Sequence, residues 1–159
     1  MAKYRHLSQD ELKSMEKEFI DFLVLNGITG EDWVKLKKER PDRAEGICES
    51  FSDVVFTKIL KQARYIERHT PKEVIAIFCD AQKMSLLGIE APDHLDIDFT
   101  KPKDFETLQK SPPEGLLSLS SQKSYSQSRE DEIWALIQNG FFISNQKLYM
   151  ALFTAQHKN

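Results

Sequence analysis

His94, Asp96 and Asp98 alternate with Leu95, Ile97 and Phe99. On an extended strand the three polar side chains project from one face, and one imidazole with two carboxylates is a set that holds a divalent metal. Such an ion would activate water, which makes a metal-dependent hydrolase one chemistry these residues could carry. The same alternation is shown by any strand with one solvated face, and that plainer reading is favoured because a metal site needs further ligands. A second set is basic. Lys35, Lys37, Lys38, Arg40 and Arg43 crowd one connection, and Lys58, Lys61, Arg64 and Arg68 recur along the helical pattern that follows. Gathered on one helical face they could contact the phosphates of RNA or DNA. Glu39, Asp42, Glu45, Glu49, Asp53 and Glu67 dilute that field, and no aromatic residues interleave, so solvated outer faces are the favoured reading.

Nucleophilic chemistry has less to stand on. Cys79 sits inside an apolar run where burial would raise its pKa, and His6, His69, His94 and His157 come with no local motif that names a partner. Cys48 and Cys79 match no zinc or redox spacing and read as buried thiols in a reducing compartment. The chain has no phosphate loop and no dinucleotide fingerprint. No catalytic residue and no cofactor is expected.

The elements that must position these residues are clearer than the chemistry. Ser8 with Glu11 forms a capping signature ahead of Leu12, Met15, Phe19, Phe22 and Leu23, one apolar stripe on a helix that should run to Asn26-Gly27. Thr29 with Asp32 repeats the signature for a short helix carrying Trp33 and Leu36 to about Glu39, before Pro41. Ala44, Cys48, Phe51, Val55, Ile59, Gln62 and Ile66 then recur at three- and four-residue spacing, which predicts a long helix from about Asp42 to His69.

After Thr70-Pro71 the apolar runs Val74–Cys79 and Met84–Ala91 flank a polar Asp80–Lys83, which reads as a β-hairpin. The competing reading is a helix capped by Thr70 with Pro71 at its first position and Glu73 third. Leu95, Ile97 and Phe99 predict a strand, Lys101–Lys110 a short helix, and Pro112–Gly115 a turn or loop. Leu116–Leu119 reads as a short strand and Ser120–Ser128 as a polar, mobile loop. A helix capped by Ser128, a short Phe141-Phe142-Ile143 strand and a last helix from Ser144 close the chain.

Tyr4-Arg5-His6-Leu7-Ser8 with Glu11-Leu12, Phe19-Ile20-Asp21-Phe22-Leu23, Gly27-Ile28-Thr29, Trp33 and Leu36-Lys37-Lys38-Glu39 resemble a family of small bacterial proteins of unknown function. Phe51-Ser52-Asp53 and Thr70-Pro71-Lys72, followed by two apolar runs, are similar too. These are caps and core residues, so the resemblance implies a bacterial cytoplasmic setting and no particular activity, cofactor or binding residue.

The expectation is therefore one α+β domain over residues 1–159, with a helical N-terminal layer, one long helix, a small antiparallel sheet that includes the hairpin, and a C-terminal helix–strand–helix. Hydrophobic residues at 40% and charged residues at 30% describe a globular chain, and a net charge of −3 argues against a protein that coats nucleic acid non-specifically. The polar N-terminus and the absence of an apolar run of about 20 residues point to a cytoplasmic protein without a membrane partner. The expected function is a non-enzymatic protein-interaction module whose partner is another protein, with nucleic-acid binding as the alternative. Oligomeric state is not legible at this level.

Overall fold

The structure is a computed structural model and describes residues 1–157. The chain gathers into two compact units, residues 1–61 and the remainder from Gln62. Among the described residues, seven helices and a five-stranded antiparallel sheet, about 49% helix and 20% strand, make the class α+β.

The first unit is helical: α1 (Gln9–Ser14), α2 (Glu16–Leu25), α3 (Gly30–Glu39) and α4 (Pro41–Gln62). Both expected capping boxes form. Ser8 Oγ accepts from Glu11 N (3.1 Å) while Glu11 Oε1 accepts from Ser8 N (2.8 Å), and Thr29 and Asp32 do the same at 3.1 and 3.3 Å. Arg5 grips the Glu11 carboxylate with two nitrogens and, with the Ser8 N–H, holds its pKa down at about 2. The single helix expected from Ser8 to Asn26 is broken at Met15, whose N–H donates to the Leu12 carbonyl in a tighter turn. Leu12, Met15, Phe19 and Phe22 all pack on the cluster of Leu7, Phe51, Val55 and Phe56. On α4 the buried face is Ala44, Phe51, Ser52, Val55, Phe56 and Leu60, so the expected stripe holds as far as Val55 and then rotates, leaving Ile59 and Gln62 exposed.

The second unit is built on a sheet of β1 (Tyr65–His69), β2 (Glu73–Cys79), β3 (Lys83–Glu90), β4 (Leu117–Ser124) and β5 (Phe142–Ser144), in the order β4-β3-β2-β1-β5. The hairpin is confirmed as β2–β3. The expected long helix is shorter than its spacing suggests: α4 stops at Gln62 and residues 65–69 form β1 instead. Ile66 fits either pattern, but as a strand residue it lies fully buried between Ile77 on β2 and Ile143 on β5, so packing overrides local periodicity. The Thr70–Glu73 pair does what a helix cap would, Thr70 Oγ1 accepting from Glu73 N at 3.1 Å, but it closes the β1–β2 turn, where Thr70 N donates to Glu73 O at 2.9 Å.

One face of the sheet, through Val74, Ala76 and Leu87, packs on Phe99, on Leu108 of α5 (Pro102–Lys110) and on Leu148 and Leu152 of α7 (Lys147–Gln156). α6 (Arg129–Gln138) is capped by Ser128 as expected, and α6–β5–α7 is the expected C-terminal helix–strand–helix, with the last helix beginning three residues late because β5 takes up Phe142–Ser144. Two further expectations are corrected. Residues 94–99 form no strand: their apolar members turn inward, but Lys72 Nζ binds the Leu95 and Ile97 carbonyls (2.6 and 3.1 Å) that a ladder would otherwise take. The loop expected over Ser120–Ser128 is confined to residues 125–128, since β4 runs to Ser124 in unbroken register with β3.

Gly88 marks a close approach in the sheet, because a Cβ there would lie 3.0 Å from the Val74 carbonyl oxygen and 3.3 Å from Ile75 Cγ1. Gly88→Ala is expected to cost about 1–2 kcal/mol in a urea titration, through overpacking that backbone cannot relieve. Gly46→Ala on α4, with nothing within 4 Å, should be neutral or stabilising in the same assay.

Candidate functional site

The residues singled out by the sequence fall on several different elements. His94 and Asp96 are exposed, while Asp98 turns its carboxylate onto its own loop and accepts from the N–H (2.9 Å) and hydroxyl of Thr100, which holds its carboxyl below the usual range. Among the described residues no group of three or more His, Cys, Asp or Glu could hold a metal ion. Lys35, Lys37 and Lys38 are exposed on α3, and Lys58 and Lys61 on α4. Arg64 and Arg68 are not on that helix at all. Arg68 lies on β1, its guanidinium 4.8 Å above the Phe141 ring and within 3.3 Å of the Asn139 carbonyl.

Cys48 and Cys79 are free thiols. Burial raises the pKa of both, that of Cys79 to about 11, so neither is a ready thiolate. A pairing the sequence hid is His69 with Glu67, Nε2 to Oε1 at 3.0 Å, the imidazole stacked on Phe105 at 4.8 Å. Residues two apart share a face only on a strand, so the signal existed only once β1 was known.

The feature that stands open is the outer edge of β4. Which of its groups point outward follows from the turns. Asp80 N donates to Lys83 O (3.0 Å) and Ala91 N to Lys72 O (2.7 Å), so these are narrow, hydrogen-bonded pairs at the two ends of β2–β3. In an antiparallel ladder every second pair is narrow. Ser85, Leu87 and Ile89 therefore bond to β2, which leaves Met84, Leu86, Gly88 and Glu90 to bond Lys123, Ser121, Leu119 and Leu117 on β4. Gln156 Nε2 agrees, donating to both Gly88 O (3.1 Å) and Leu119 O (3.2 Å), two oxygens that this alternation places between the strands.

Ser118, Ser120, Gln122 and Ser124 consequently direct their N–H and C=O groups away from the sheet, without a backbone partner among the described residues. The edge is held rigidly at its C-terminal end. Buried Glu132 on α6 accepts from Ser126 N, Ser126 Oγ (2.8 Å) and Gln127 N (3.3 Å), and takes the Lys123 ammonium at 2.6 Å. That ammonium and the three donors, working against the desolvation of burial, hold the Glu132 carboxyl down at about 2. Tyr125 Oη donates to the Asp80 carbonyl at 2.6 Å, and burial pushes its own pKa up to about 12. At the other end of β4 a cleft of about 350 Å³ is walled by Ile89, Leu108, Leu116, Leu148 and Leu152, with Gln109 as its polar side chain.

A strand edge of eight residues with no proline, no bulge and a single, already paired, charge lacks the devices that usually blunt such edges. β5, at the opposite edge, is only three residues long.

The family model described as "Family of unknown function (DUF6495)" matches residues 1–157. The chain belongs to DUF6495. No curated protein and no solved structure matches it. The DUF6495 match spans both compact units, the helical one and the sheet, so the open edge and the elements that hold it lie inside the family's extent.

Proposed function

We propose that this DUF6495 chain is a protein-interaction module that accepts an extended segment of another chain along the outer edge of β4. The observation that carries the reading is the row of four N–H and C=O sets at Ser118, Ser120, Gln122 and Ser124 that have no backbone partner among the described residues. Backbone pairing to an exposed edge is a recurring way of binding an extended segment, with main-chain hydrogen bonds supplying affinity. The clamp at Glu132 supports it further, because an edge already ordered has less conformational entropy to lose when a segment docks. The reading invokes no cofactor. We place the action in the bacterial cytoplasm; its reducing character is supported by the two free thiols.

Ser120→Pro tests this with little disturbance of the fold. Its N–H faces outward, so proline removes no bond to β3 and is tolerated as it is on other edge strands, while the outward donor is lost. Affinity capture from native cells is expected to recover a companion with the wild-type chain and to lose it with Ser120→Pro. Equal recovery by both forms, or nothing above background with either, contradicts the proposal. Recovery that nuclease treatment abolishes and Ser120→Pro leaves intact would favour the basic residues of α3 and α4 instead.

A further inference from the structure

Resting on that reading, we infer that the segment docking on β4 is β4 of a second copy, antiparallel across a two-fold axis, which joins two five-stranded sheets into one. Symmetry and the alternation of the ladder restrict how this can happen. A two-fold axis normal to the sheet keeps each face on its own side, so opposed residues must share a face and outward-directed residues must pair with outward-directed residues. In one register Ser118 faces Ser124 of the second copy and Ser120 faces Gln122, and all four outward residues of each chain are paired. Sliding the strands by two residues in either direction leaves an outward residue of each copy without a partner in β4.

The intervening row fits the same register. Leu117, 52% exposed and the one exposed large apolar side chain of β4, comes opposite Tyr125 of the second copy, a cross-strand pair that removes apolar surface from water. Leu119 comes opposite the aliphatic stem of Lys123. Ser121 sits on the axis facing its own mate. Lys123, the single charge on the strand, does not meet its own copy, and its ammonium is already held by Glu132 at 2.6 Å. No like charges are opposed, and the neutral outward row of Ser118, Ser120, Gln122 and Ser124 carries no charge that would select a foreign strand over an identical one.

Sedimentation equilibrium of the full chain over a wide concentration range, with oxidative cross-linking, tests the inference. The wild-type mass is expected to rise from the chain mass of 18.4 kDa towards twice that value. Ser120→Pro, which deletes one N–H from each copy, is expected to raise the dissociation constant at least about tenfold. Ser121→Cys should oxidise to a covalent dimer much faster than Ser118→Cys, because only residue 121 meets its own mate at a spacing a disulfide can bridge; the parent chain, with Cys48 and Cys79, gives the background rate. A wild-type monomer at every concentration, a dimer indifferent to Ser120→Pro, or equal linking of the two cysteine variants overturns the inference. A monomeric chain that still loses a captured companion on Ser120→Pro discards the second copy and keeps the edge as the binding element. A companion indifferent to that substitution discards both.

Discussion

Phe51→Ala is expected to destabilise the unit of residues 1–61 by about 3–5 kcal/mol, the usual cost of emptying a buried phenylalanine site. Phe51 is 3% exposed, meets Phe19 edge-on at 5.0 Å and Phe22 at 5.3 Å, and shares its cluster with Leu7, Val55 and Phe56. Its neighbours come from both sides of the helix break at Met15, so the space left by truncation is bounded by several elements and cannot close by moving one. Urea unfolding followed by Trp33 fluorescence in a Trp134→Phe background reads this unit, since the Trp33 indole lies edge-on to Phe19 at 5.2 Å and Trp134, the other tryptophan, belongs to α6. Val54→Ala, one helical step away but 54% exposed, should shift the same curve by less than about 0.5 kcal/mol. Equal losses from the two substitutions would mean that the buried face of α4 is misplaced.

Glu132→Ala is expected to cost about 2–3 kcal/mol and to loosen the C-terminal end of β4, because it removes the charged acceptor shared by Lys123, Ser126 and Gln127. The cost stays below that of a fully buried pair, since the Lys123 side chain is largely exposed and its ammonium can return to water. Protonation should act in the same direction. The folded pKa of Glu132 is about 2, against 4.5 for the unperturbed group, so the folded state binds its proton less readily than the unfolded state does. The stabilisation is therefore fully present above pH 4.5 and is lost as pH falls from 4.5 towards 2. Unfolding free energies of wild type and Glu132→Gln should differ most at neutral pH and converge over that interval. A gap that stays constant down to pH 2 would show that the carboxylate charge is not what holds the β4–α6 connection.

Much of the fold could be read from residue order because its signals are local. Ser8–Glu11, Thr29–Asp32 and Ser128 start helices where capping chemistry says they should, and the two apolar runs around Asp80–Lys83 pair as a hairpin. What escaped has a physical reason in each instance. Ile66 satisfies helical spacing and strand burial equally, and only its neighbours Ile77 and Ile143 decide between them. Leu95, Ile97 and Phe99 alternate because the loop buries one side, not because it pairs. The last residues of β4 are exposed on both faces, so no hydrophobic alternation announces the strand, and serine-rich sequence is what loops also use. The candidate site was least legible of all. Whether Ser120 or Ser121 points outward depends on the parity set by the Asp80–Lys83 turn, about forty residues upstream.

Residue-resolved hydrogen exchange across β4, on protein dilute enough to be monomeric, tests the central claim that residues 117–124 form an ordered strand with an open outer row. Slow exchange is expected at Leu119, Ser121 and Lys123, whose N–H groups bond to β3, and fast exchange at Ser118, Ser120 and Gln122, whose N–H groups meet water. Uniformly fast exchange from Ser118 to Ser124 would return the segment to a mobile loop, and protection at Ser118, Ser120 and Gln122 in the dilute monomer would mean that the edge is already covered; either result contradicts the account.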